Sequence, residues 1–211
     1  MLKINQLEEE SKNTITESNL EVKKMLINKK GCQVWIKSKY LNSQDSKILF
    51  DHCKGLPFIR HKIKVRGKEI TQPRLSCSIG HSYEYSHSTH PSSLWTKELE
   101  EIRDKVNQKL DTKFNSILVN YYRDGKDYIS PHSDNISHLS NGVVAGISLG
   151  EERCMVLENK TTKEKIKFDL TNGSLFVMEG DTQNHWKHGI PKQLGKKRER
   201  ISLTFREFTD S

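Results

Sequence analysis

Two residues able to hold a metal ion, His132 and Asp134, lie two positions apart in the chain. On an extended strand, residues at that spacing point to the same face, so both side chains can reach one cation. His188, further along the chain, could supply a third ligand. Two histidines and one carboxylate form the facial triad typical of non-haem Fe(II) sites. The triplet alone is weak evidence, because a surface histidine hydrogen-bonded to a nearby aspartate has the same pattern.

Residues 200–206 predict a β-strand whose two faces differ in chemistry. Strict alternation turns Ile201, Leu203 and Phe205 towards a hydrophobic layer. The opposite face carries Arg200, Ser202, Thr204 and Arg206. The two arginines lie about 20 Å apart along the strand, and each can lean inward by about 6 Å, so the gap fits a small dicarboxylate. The alternative is that both arginines lie at a rim with ordinary acidic partners.

Asn120 and Tyr122 share one face of the strand that precedes His132, by the same two-residue spacing. Both side chains could donate hydrogen bonds to the acid that the arginines bind. Buried side chains of these two types also commonly satisfy each other on a sheet. The pair therefore supports the predicted site without defining it.

Basic residues outnumber acidic ones, and the excess is clustered. The chain has 35 lysines and arginines against 27 aspartates and glutamates, a net charge of +8. One cluster, opposed by Glu69 alone, contains Lys54, Arg60, Lys62, Lys64, Arg66, Lys68 and Arg74. A second, opposed by Glu199 alone, contains Lys192, Lys196, Lys197, Arg198 and Arg200. Such patches are typical of proteins that bind a polyanion, although a lysine-rich surface that serves only solubility has the same composition.

The length of 211 residues predicts one domain over 31–211, preceded by a polar extension over 1–30 that is partly disordered, with loosely helical spacing around residues 20–26. No run approaches the roughly 20 apolar residues of a membrane span, and no secretory signal is visible. The four cysteines are widely spaced, which predicts reduced thiols. We therefore expect a monomer inside the cell, in the cytoplasm or nucleus, with no membrane partner.

The clearest predicted helix starts at Ser92 or Ser93. Its apolar stripe consists of Trp95, Leu99, Ile102, Val106 and Leu110. A shorter helix is capped by Asn42 and Ser43 and ends before Pro57. Residues 33–37 and 62–66 predict strands, the second of them entering a turn at Gly67, and residues after Arg74 predict a loop up to Pro91.

After Asp111 the pattern changes to short segments that are rich in β-branched and aromatic residues and separated by turns. These predicted strands are 114–122, 143–149, 154–157, 165–170, 174–178 and 201–208. Helices followed by short strands at regular spacing predict an α+β protein. The pattern predicts an antiparallel jelly roll or barrel, and the fold we expect is a double-stranded β-helix (jelly roll) with supporting N-terminal helices.

Several separated motifs resemble, in order and spacing, the AlkB family of Fe(II)/2-oxoglutarate-dependent nucleic-acid dealkylases. They are Asn120-x-Tyr122, His132-x-Asp134, His188 within Trp186-Lys187-His188-Gly189-Ile190-Pro191, and Arg200-x-Ser202-x-Thr204-x-Arg206. Three further stretches look most like the animal single-strand-preferring AlkB homologues. They are Phe114-Asn115-Ser116, Met178-Glu179-Gly180 with Thr182-Gln183, and Pro73-Arg74 before Tyr83-Glu84-Tyr85-Ser86. The resemblance covers roughly residue 31 to the end.

The resemblance implies roles for individual residues. His132, Asp134 and His188 would bind Fe(II); His185 competes for the third position, but the family places this ligand just before a small residue and Pro191. The residues implied to hold 2-oxoglutarate are Asn120, Tyr122, Arg200, Ser202, Thr204 and Arg206, with Arg200 on the distal carboxylate and Arg206 near the metal. Tyr85, together with Tyr83 and Phe58, would line the same pocket.

The implied activity is oxidative demethylation, or dealkylation repair, of N-alkylated bases in single-stranded DNA or RNA. With Fe(II), 2-oxoglutarate and O₂, such enzymes hydroxylate an N-methyl group, and the unstable product loses formaldehyde. The base must leave its stack, which costs least in a single strand. The resemblance implies a nucleotide-recognition region at about 58–91. Residues expected to contact the substrate are Phe58, Lys62, Lys64, Arg66, Arg74, Tyr83 and Asn135.

Two positions depart from the pattern of the family. Asn135 and Ile136 stand where an acidic residue often contacts the base, so the resemblance does not fix the preferred base. Ser202 replaces an asparagine between the arginines. One alternative function is a 2-oxoglutarate oxygenase that acts on a protein or on an RNA modification. A non-catalytic nucleic-acid-binding barrel has no need of the complete metal and arginine sets, and a cupin-like zinc hydrolase has no need of the paired arginines.

Overall fold

The computed structural model describes residues 23–65, 67–81, 83–85, 88–90, 92–135, 139, 142–196 and 198–209, and these residues form mainly β-structure. The strands are β1 (Lys23–Lys29), β2 (Cys32–Lys37), β3 (Lys62–Val65), β4 (Lys68–Thr71), β5 (Leu75–Ile79), β6 (Tyr83–Tyr85), β7 (Ser88–His90), β8 (Ser92–Ser93), β9 (Ser116–Tyr122), β10 (Ile129–His132), β11 (Val144–Gly150), β12 (Arg153–Asn159), β13 (Lys165–Leu170), β14 (Leu175–Gly180), β15 (Trp186–Ile190) and β16 (Arg200–Arg206). The helices are α1 (Ser43–Lys54), α2 (Lys97–Leu110) and α3 (Thr182–His185).

Two larger sheets form the body of the described structure. The first has eight strands in the order β1-β2-β14-β11-β16-β9-β5-β8, and the second has four in the order β10-β15-β12-β13. The β5–β8 pair is parallel and the other described pairs are antiparallel. Side chains of both sheets line one cavity, so the sheets face each other. This architecture, mostly β with few helices, is consistent with the predicted jelly roll.

Strand β16 separates the hydrophobic core from the cavity. Ile201, Leu203 and Phe205 are fully buried in a cluster that also contains Leu99 and Val106 of α2. The alternate residues of the same strand line the cavity. The alternation predicted for residues 200–206 is therefore confirmed, and helices α1 and α2 cover the side of the large sheet that faces away from the cavity.

Side-chain caps fix where the two longer helices begin. The Asn42 side chain accepts a hydrogen bond from the Asp45 backbone at 2.8 Å, which confirms the predicted cap of α1. Helix α2 begins at Lys97, later than predicted, because Thr96 accepts from the Leu99 backbone at 3.4 Å. Ser92 and Ser93, predicted as its start, instead form β8.

Several segments differ from the sequence-based predictions, and among them β6 and β7 form within the stretch predicted as a loop. Met25 and Leu26, which belong to the loosely helical spacing predicted around residues 20–26, lie in β1, which pairs with β2 at the edge of the large sheet. Residues 1–22 lie outside the described residues. The boundary between extension and domain, predicted at residue 31, stays a prediction, although β1 precedes it and belongs to the sheet. Leu75–Ile79, predicted as loop, forms β5 beside β9. Its Ser76 and Ser78 are small and polar, so the segment lacks the β-branched pattern of a strand.

Hairpins extend from the body of the structure beside β5. Strands β3 and β4 pair antiparallel around a turn at Gly67, which has a φ of +77° that suits glycine. Strands β6 and β7 form a second, shorter hairpin. None of the described helices is long and apolar enough to cross a membrane.

Candidate active site and metal centre

The small sheet brings His132, Asp134 and His188 together. His132 on β10 lies directly opposite His188 on β15, and their ring centroids are 4.3 Å apart. Asp134 follows β10 by two residues, and one potential ligand atom of each residue lies within 4.8 Å of the other two. His185, the competing candidate, lies exposed at the end of α3 and is not part of this group. The geometry suits one metal ion bound by two imidazoles and a carboxylate.

A backbone contact fixes the orientation of the His132 ring. Nδ1 lies 2.9 Å from the carbonyl oxygen of Ser130. Because a carbonyl can only accept, Nδ1 carries the proton and donates it. The lone pair is therefore on Nε2, which lies 3.7 Å from Oδ1 of Asp134. A histidine whose second nitrogen is held in this way is preset to bind a metal.

Asp134 is buried and held from two sides. Its backbone nitrogen donates to Oε1 of Gln183 at 2.9 Å, and its Oδ2 accepts from Nη2 of Arg206 at 3.0 Å. Its other oxygen, Oδ1, is buried and has no hydrogen-bond partner among the described residues. A buried carboxylate oxygen without a donor is rare, and here it faces the two imidazoles.

The electrostatics of this cluster favour ligands in their metal-binding forms. Burial, together with the neighbouring His132 and Arg206, lowers the pKa of His188 to about 3, although Asp134 acts in the opposite direction. Burial also lowers the pKa of His132. Burial alone would raise the pKa of Asp134, but Arg206 and the two histidines hold it well below its usual range. At neutral pH the cluster thus consists of two neutral imidazoles and one carboxylate.

A cavity opens beside His132 and His188. Its empty volume, which includes open solvent at the mouth, is ≈ 930 Å³. The residues that the sequence predicts to hold a dicarboxylate, and that line this cavity, are Asn120, Tyr122, Arg200, Ser202, Thr204 and Arg206. They come from β9 and β16, in which Asn120 pairs with Ser202 and Tyr122 with Arg200. The two-residue spacing therefore places all six on one surface.

Arg200 is buried but incompletely satisfied. Its Nη2 donates to Oγ of Ser148 at 2.7 Å, while Nε and Nη1 have no hydrogen-bond partner among the described residues. No carboxylate of the described chain forms an ion pair with it. Burial lowers the pKa of Arg200 to about 10, and Arg153 contributes to this decrease. A buried guanidinium with unused donors is costly unless an anion binds there.

A third arginine enters the cavity from β5's side of the sheet. Arg74 is buried, and its Nε donates to Oδ1 of Asn120 at 2.7 Å. Arg74 also lies close enough to His132 to lower the pKa of that imidazole. The sequence predicts Arg74 as a substrate contact, and the structure places it in the cavity wall, bonded to one of the residues predicted to hold the acid.

Other predicted substrate residues are not brought into this cavity. Phe58 packs on the ring of Tyr121 with centroids 5.2 Å apart, on the opposite face of β9 from Tyr122, so it does not line the cavity. Lys62 lies exposed on β3 in an ion pair with Glu69 at 2.8 Å. Asn135 is exposed beyond Asp134. Arg66 and the side chains of Lys64, Tyr83 and Tyr85 lie outside the described residues.

Sequence reasoning missed several residues that support the site. Ser148 holds Arg200 but lies in the apolar run of β11, where alternation is not visible. Gln183 holds the Asp134 backbone and donates from Nε2 to the Met178 sulfur at 3.4 Å. Gln72 lines the cavity two residues before Arg74, and that spacing on an extended segment could have identified it.

Arg153 anchors the loops behind Tyr122. Its guanidinium donates to Oε1 of Gln193 at 3.0 Å and to the backbone oxygens of Asp124, Asp127 and Pro191 at 3.1, 2.8 and 2.8 Å. The residue is 1 % exposed. One buried side chain thus satisfies carbonyl groups from two separate loops, which would otherwise be left without donors.

Two guanidinium groups lie over the ring of Tyr122. Arg153 is 5.6 Å from the ring centroid and Arg200 is 5.0 Å from it, both within the range of cation–π attraction. Arg153 therefore fixes the loops and, through Tyr122, the wall of the cavity beside Arg200.

Comparison with known proteins agrees with this geometry. A model of the 2OG-Fe(II) oxygenase superfamily matches residues 33–206. Mouse "Alpha-ketoglutarate-dependent dioxygenase alkB homolog 3" is 34% identical over 173 residues, which are 75% of this chain and 60% of the mouse protein. Mouse "DNA oxidative demethylase ALKBH2" is 32% identical over 158 residues, 69% of this chain and 66% of that protein. The chain thus spans less than two thirds of these relatives.

A solved structure shares the fold. The structure of OsALKBH1 superimposes with a TM-score of 0.58 at 16% sequence identity, and covers 86% of this chain and 100% of that one. At this identity the likeness concerns the fold alone. It confirms the jelly-roll class that the sequence predicts.

Replacing Arg153 by methionine is expected to lower the free energy of unfolding by about 3 kcal/mol, because several buried carbonyls lose their donor. Arg153→Lys should recover little of the lost free energy of unfolding, because lysine lacks the planar guanidinium that reaches several separate acceptors. Urea unfolding followed by circular dichroism measures the change.

The control is Arg198→Met, because the Arg198 side chain is 83% exposed and pairs with Glu151. For this variant we expect a change in the free energy of unfolding within about 0.5 kcal/mol. Equal losses in both variants would refute the anchoring role.

Proposed function

Because this chain belongs to the 2OG-Fe(II) oxygenase superfamily and, within it, to the AlkB homologues, we propose that it removes alkyl groups from N-alkylated bases of DNA or RNA by oxidative demethylation. One observation carries the proposal. A single cavity joins a buried His-Asp-His cluster to a buried arginine with unused donors. The names of the relatives, which include a DNA oxidative demethylase, support the reaction class.

The cluster fits Fe(II). Oδ1 of Asp134 is buried without a hydrogen-bond partner among the described residues, and Nε2 of His132 has its lone pair on the same side. Two neutral imidazoles and a carboxylate are the donor set that non-haem Fe(II) prefers, with positions left for other ligands. We assign His132, Asp134 and His188 as the residues that would hold the iron.

The opposite end of the cavity fits a dicarboxylate such as 2-oxoglutarate. Arg200 has two buried nitrogens that are not hydrogen-bonded within the described chain, and a carboxylate accepts from both edges of such a fork. Asn120, Tyr122, Ser202 and Thr204 line the wall beside it. We assign these residues, with Arg206 next to the metal cluster, to the binding of 2-oxoglutarate; Tyr85 stays a prediction.

When bound, Fe(II), 2-oxoglutarate and O₂ supply the oxidation that hydroxylates the N-alkyl carbon, which then leaves as an aldehyde, while the acid leaves as succinate and CO₂. The chain supplies orientation. Arg206 holds the Asp134 carboxylate through Oδ2, so Oδ1 alone is turned to the histidines. The apolar side chains of Leu118, Phe176 and Ile190 line the same cavity and exclude water from it.

The nucleic acid would approach from the side of the basic hairpin β3–β4. Lys62 is exposed there, and Lys64, Arg66 and Lys68 are its neighbours in sequence. Phosphates would bind these cations, while the unstacked base enters the cavity. We propose a single-stranded substrate, because a base that is already unstacked costs less to extract. Residues 58–91 would form the nucleotide-recognition region of one domain over 31–211.

We further propose that the protein acts as a monomer inside the cell, in the cytoplasm or nucleus. All four cysteines are free thiols, and Cys32, Cys53 and Cys77 are buried. Burial raises the pKa of Cys53 to about 12, so this thiol is unreactive. Free thiols of this kind are typical of a reducing compartment.

The proposed activity is tested with single-stranded DNA and RNA oligonucleotides that carry 1-methyladenine or 3-methylcytosine. After incubation with Fe(II), ascorbate and 2-oxoglutarate, mass spectrometry should show loss of the methyl group and formation of formaldehyde and succinate. The matched control is Asp134→Ala, in which product should fall at least about 100-fold. Turnover of 2-oxoglutarate without any change in the bases would favour an oxygenase with a different substrate.

Metal binding tests the ligand assignment separately. Asp134→Ala and His188→Ala should each weaken Fe(II) binding at least about 100-fold, because even groups that only support a ligand contribute 10–100-fold. An anaerobic titration with Fe(II) and 2-oxoglutarate, followed by visible absorption, measures the affinity. His185→Ala is the control, since this exposed histidine lies outside the cluster and should leave the titration unchanged. A loss with His185→Ala, but not with His188→Ala, would contradict the assignment.

The basic hairpin gives a further prediction. Reversing the charges of Lys62, Lys64 and Arg66 together should weaken binding of single-stranded oligonucleotides. The slope of the logarithm of the binding constant against the logarithm of the salt concentration should become less steep by about 2, at roughly 0.7 per lost phosphate contact. Turnover of 2-oxoglutarate without substrate should not change. Fluorescence anisotropy at several salt concentrations measures binding. In the control variant the charges of Lys97, Lys105 and Lys109, which are exposed on α2, are reversed. Equal weakening in both triple variants would indicate only a loss of overall positive charge.

A further inference from the structure

Gln72 lies where the basic hairpin meets the cavity. It occupies the extended segment between β4 and β5 and is 3% exposed. Its backbone nitrogen donates to the carbonyl oxygen of His61 at 2.8 Å, and its own carbonyl accepts from Nε of Arg60 at 3.2 Å. Its side chain lines the cavity that also contains His132 and His188. The backbone contacts therefore fix this side chain in the cavity wall.

The carboxamide of Gln72 has an unused acceptor. Oε1 is buried and has no hydrogen-bond partner among the described residues. Two buried acceptor atoms in or beside the cavity have no hydrogen-bond partner among the described residues: Oε1 of Gln72 and Oδ1 of Asp134. Asp134 is assigned to the metal, which leaves Gln72. Buried polar groups in folded proteins are almost always paired, so an unpaired one on a residue that lines a binding cavity indicates a donor on the ligand.

The other polar groups of the cavity define what Gln72 can recognise. No aspartate or glutamate is among the described residues that line the cavity, whereas Arg74, Arg200 and Arg206 are. Asn135, at a position where the sequence resemblance leads one to expect an acid, is neutral and exposed. A base that presents an N–H group therefore meets guanidinium donors on the arginines and an amide oxygen on Gln72.

We propose that Oε1 of Gln72 accepts a hydrogen bond from the exocyclic amino group of the alkylated base. Gln72 would then be a specificity-determining residue that selects N-alkylated adenine and cytosine, which carry such an amino group, over N-alkylated thymine and uracil, which present a carbonyl there. A carbonyl opposite the amide oxygen would leave two acceptors facing each other, which a polar site rejects strongly. This inference rests on the proposed function, because it concerns the substrate of the same cavity.

Two substitutions separate the acceptor from the volume of the side chain. Gln72→Met keeps the length but removes the hydrogen bond. Gln72→Glu keeps an acceptor and removes the amide NH₂, which glutamine can rotate towards a carbonyl. Thr71→Val is the control, because Thr71 is the exposed neighbour of Gln72 at the end of β4, and adjacent residues of an extended chain point to opposite sides.

The test compares three single-stranded oligonucleotides of one sequence that carry 1-methyladenine, 3-methylcytosine or 3-methylthymine. Protein loaded with Mn(II) and 2-oxoglutarate does not turn over, so fluorescence anisotropy gives the binding preference, and kcat/KM with Fe(II) gives the kinetic preference. Wild type should prefer the two amino bases. Gln72→Met should reduce that preference about tenfold, the contribution of one neutral hydrogen bond. Gln72→Glu should raise it, and Thr71→Val should leave it unchanged.

The outcomes distinguish this inference from the proposed function. If wild type binds and demethylates the oligonucleotides but Gln72→Met has the same preference as wild type, Gln72 does not read the base. If wild type neither binds nor demethylates any methylated oligonucleotide above its unmethylated control, the proposed function fails, and this inference fails with it. If Gln72→Met does not fold, judged by its melting temperature, Gln72→Glu decides: an unchanged or reduced preference for amino bases overturns the inference.

Discussion

The buried ion pair between Arg206 and Asp134 connects the two sheets at the site. Arg206 ends β16 of the large sheet, and Asp134 follows β10 of the small one. Removing one partner of such a pair typically costs about 3–5 kcal/mol, because the other charge remains buried. The same contact turns Oδ1 of Asp134 towards the two histidines. The stability of the fold and the arrangement of the metal cluster therefore both depend on the ion pair between Arg206 and Asp134, which lies beside the cavity between the sheets.

Charge is distributed unevenly across this cavity. Its described lining includes three arginines and no carboxylate, while the cluster beside it has one carboxylate and two neutral imidazoles. Burying positive charge without an anion is unfavourable, so the folded chain has a strong preference for a negatively charged small molecule at Arg200. Ser148 and Tyr122 contact the guanidinium but do not neutralise it. The folded protein thus pre-organises this site, and the free-energy cost of burying the Arg200 charge is offset when an acid binds.

The sequence predicted the parts of this site that repeat at fixed spacing. His132 and Asp134, the alternation of β16, and the pair Asn120 and Tyr122 all follow from the two-residue period of a strand, and the structure places them together. Contacts between distant segments left no such pattern. Gln183 reaches Asp134 from α3, and Arg153 joins two loops, and nothing in their local sequence indicates either contact. Strand β5 was missed because its serines lack strand propensity, and β1 because its few apolar residues fit a helical period equally well.

Strand β16 contributes to the hydrophobic core with one set of residues and to the cavity with the other, and this has an evolutionary consequence. Inserting or deleting one residue between Arg200 and Arg206 would exchange the two faces on one side of the change, so that one of these arginines would turn towards the core. A point substitution on either face leaves the alternation of the strand intact, but a change in length does not. Homologous chains should therefore accumulate insertions in the loops around β16 while the strand itself keeps seven residues.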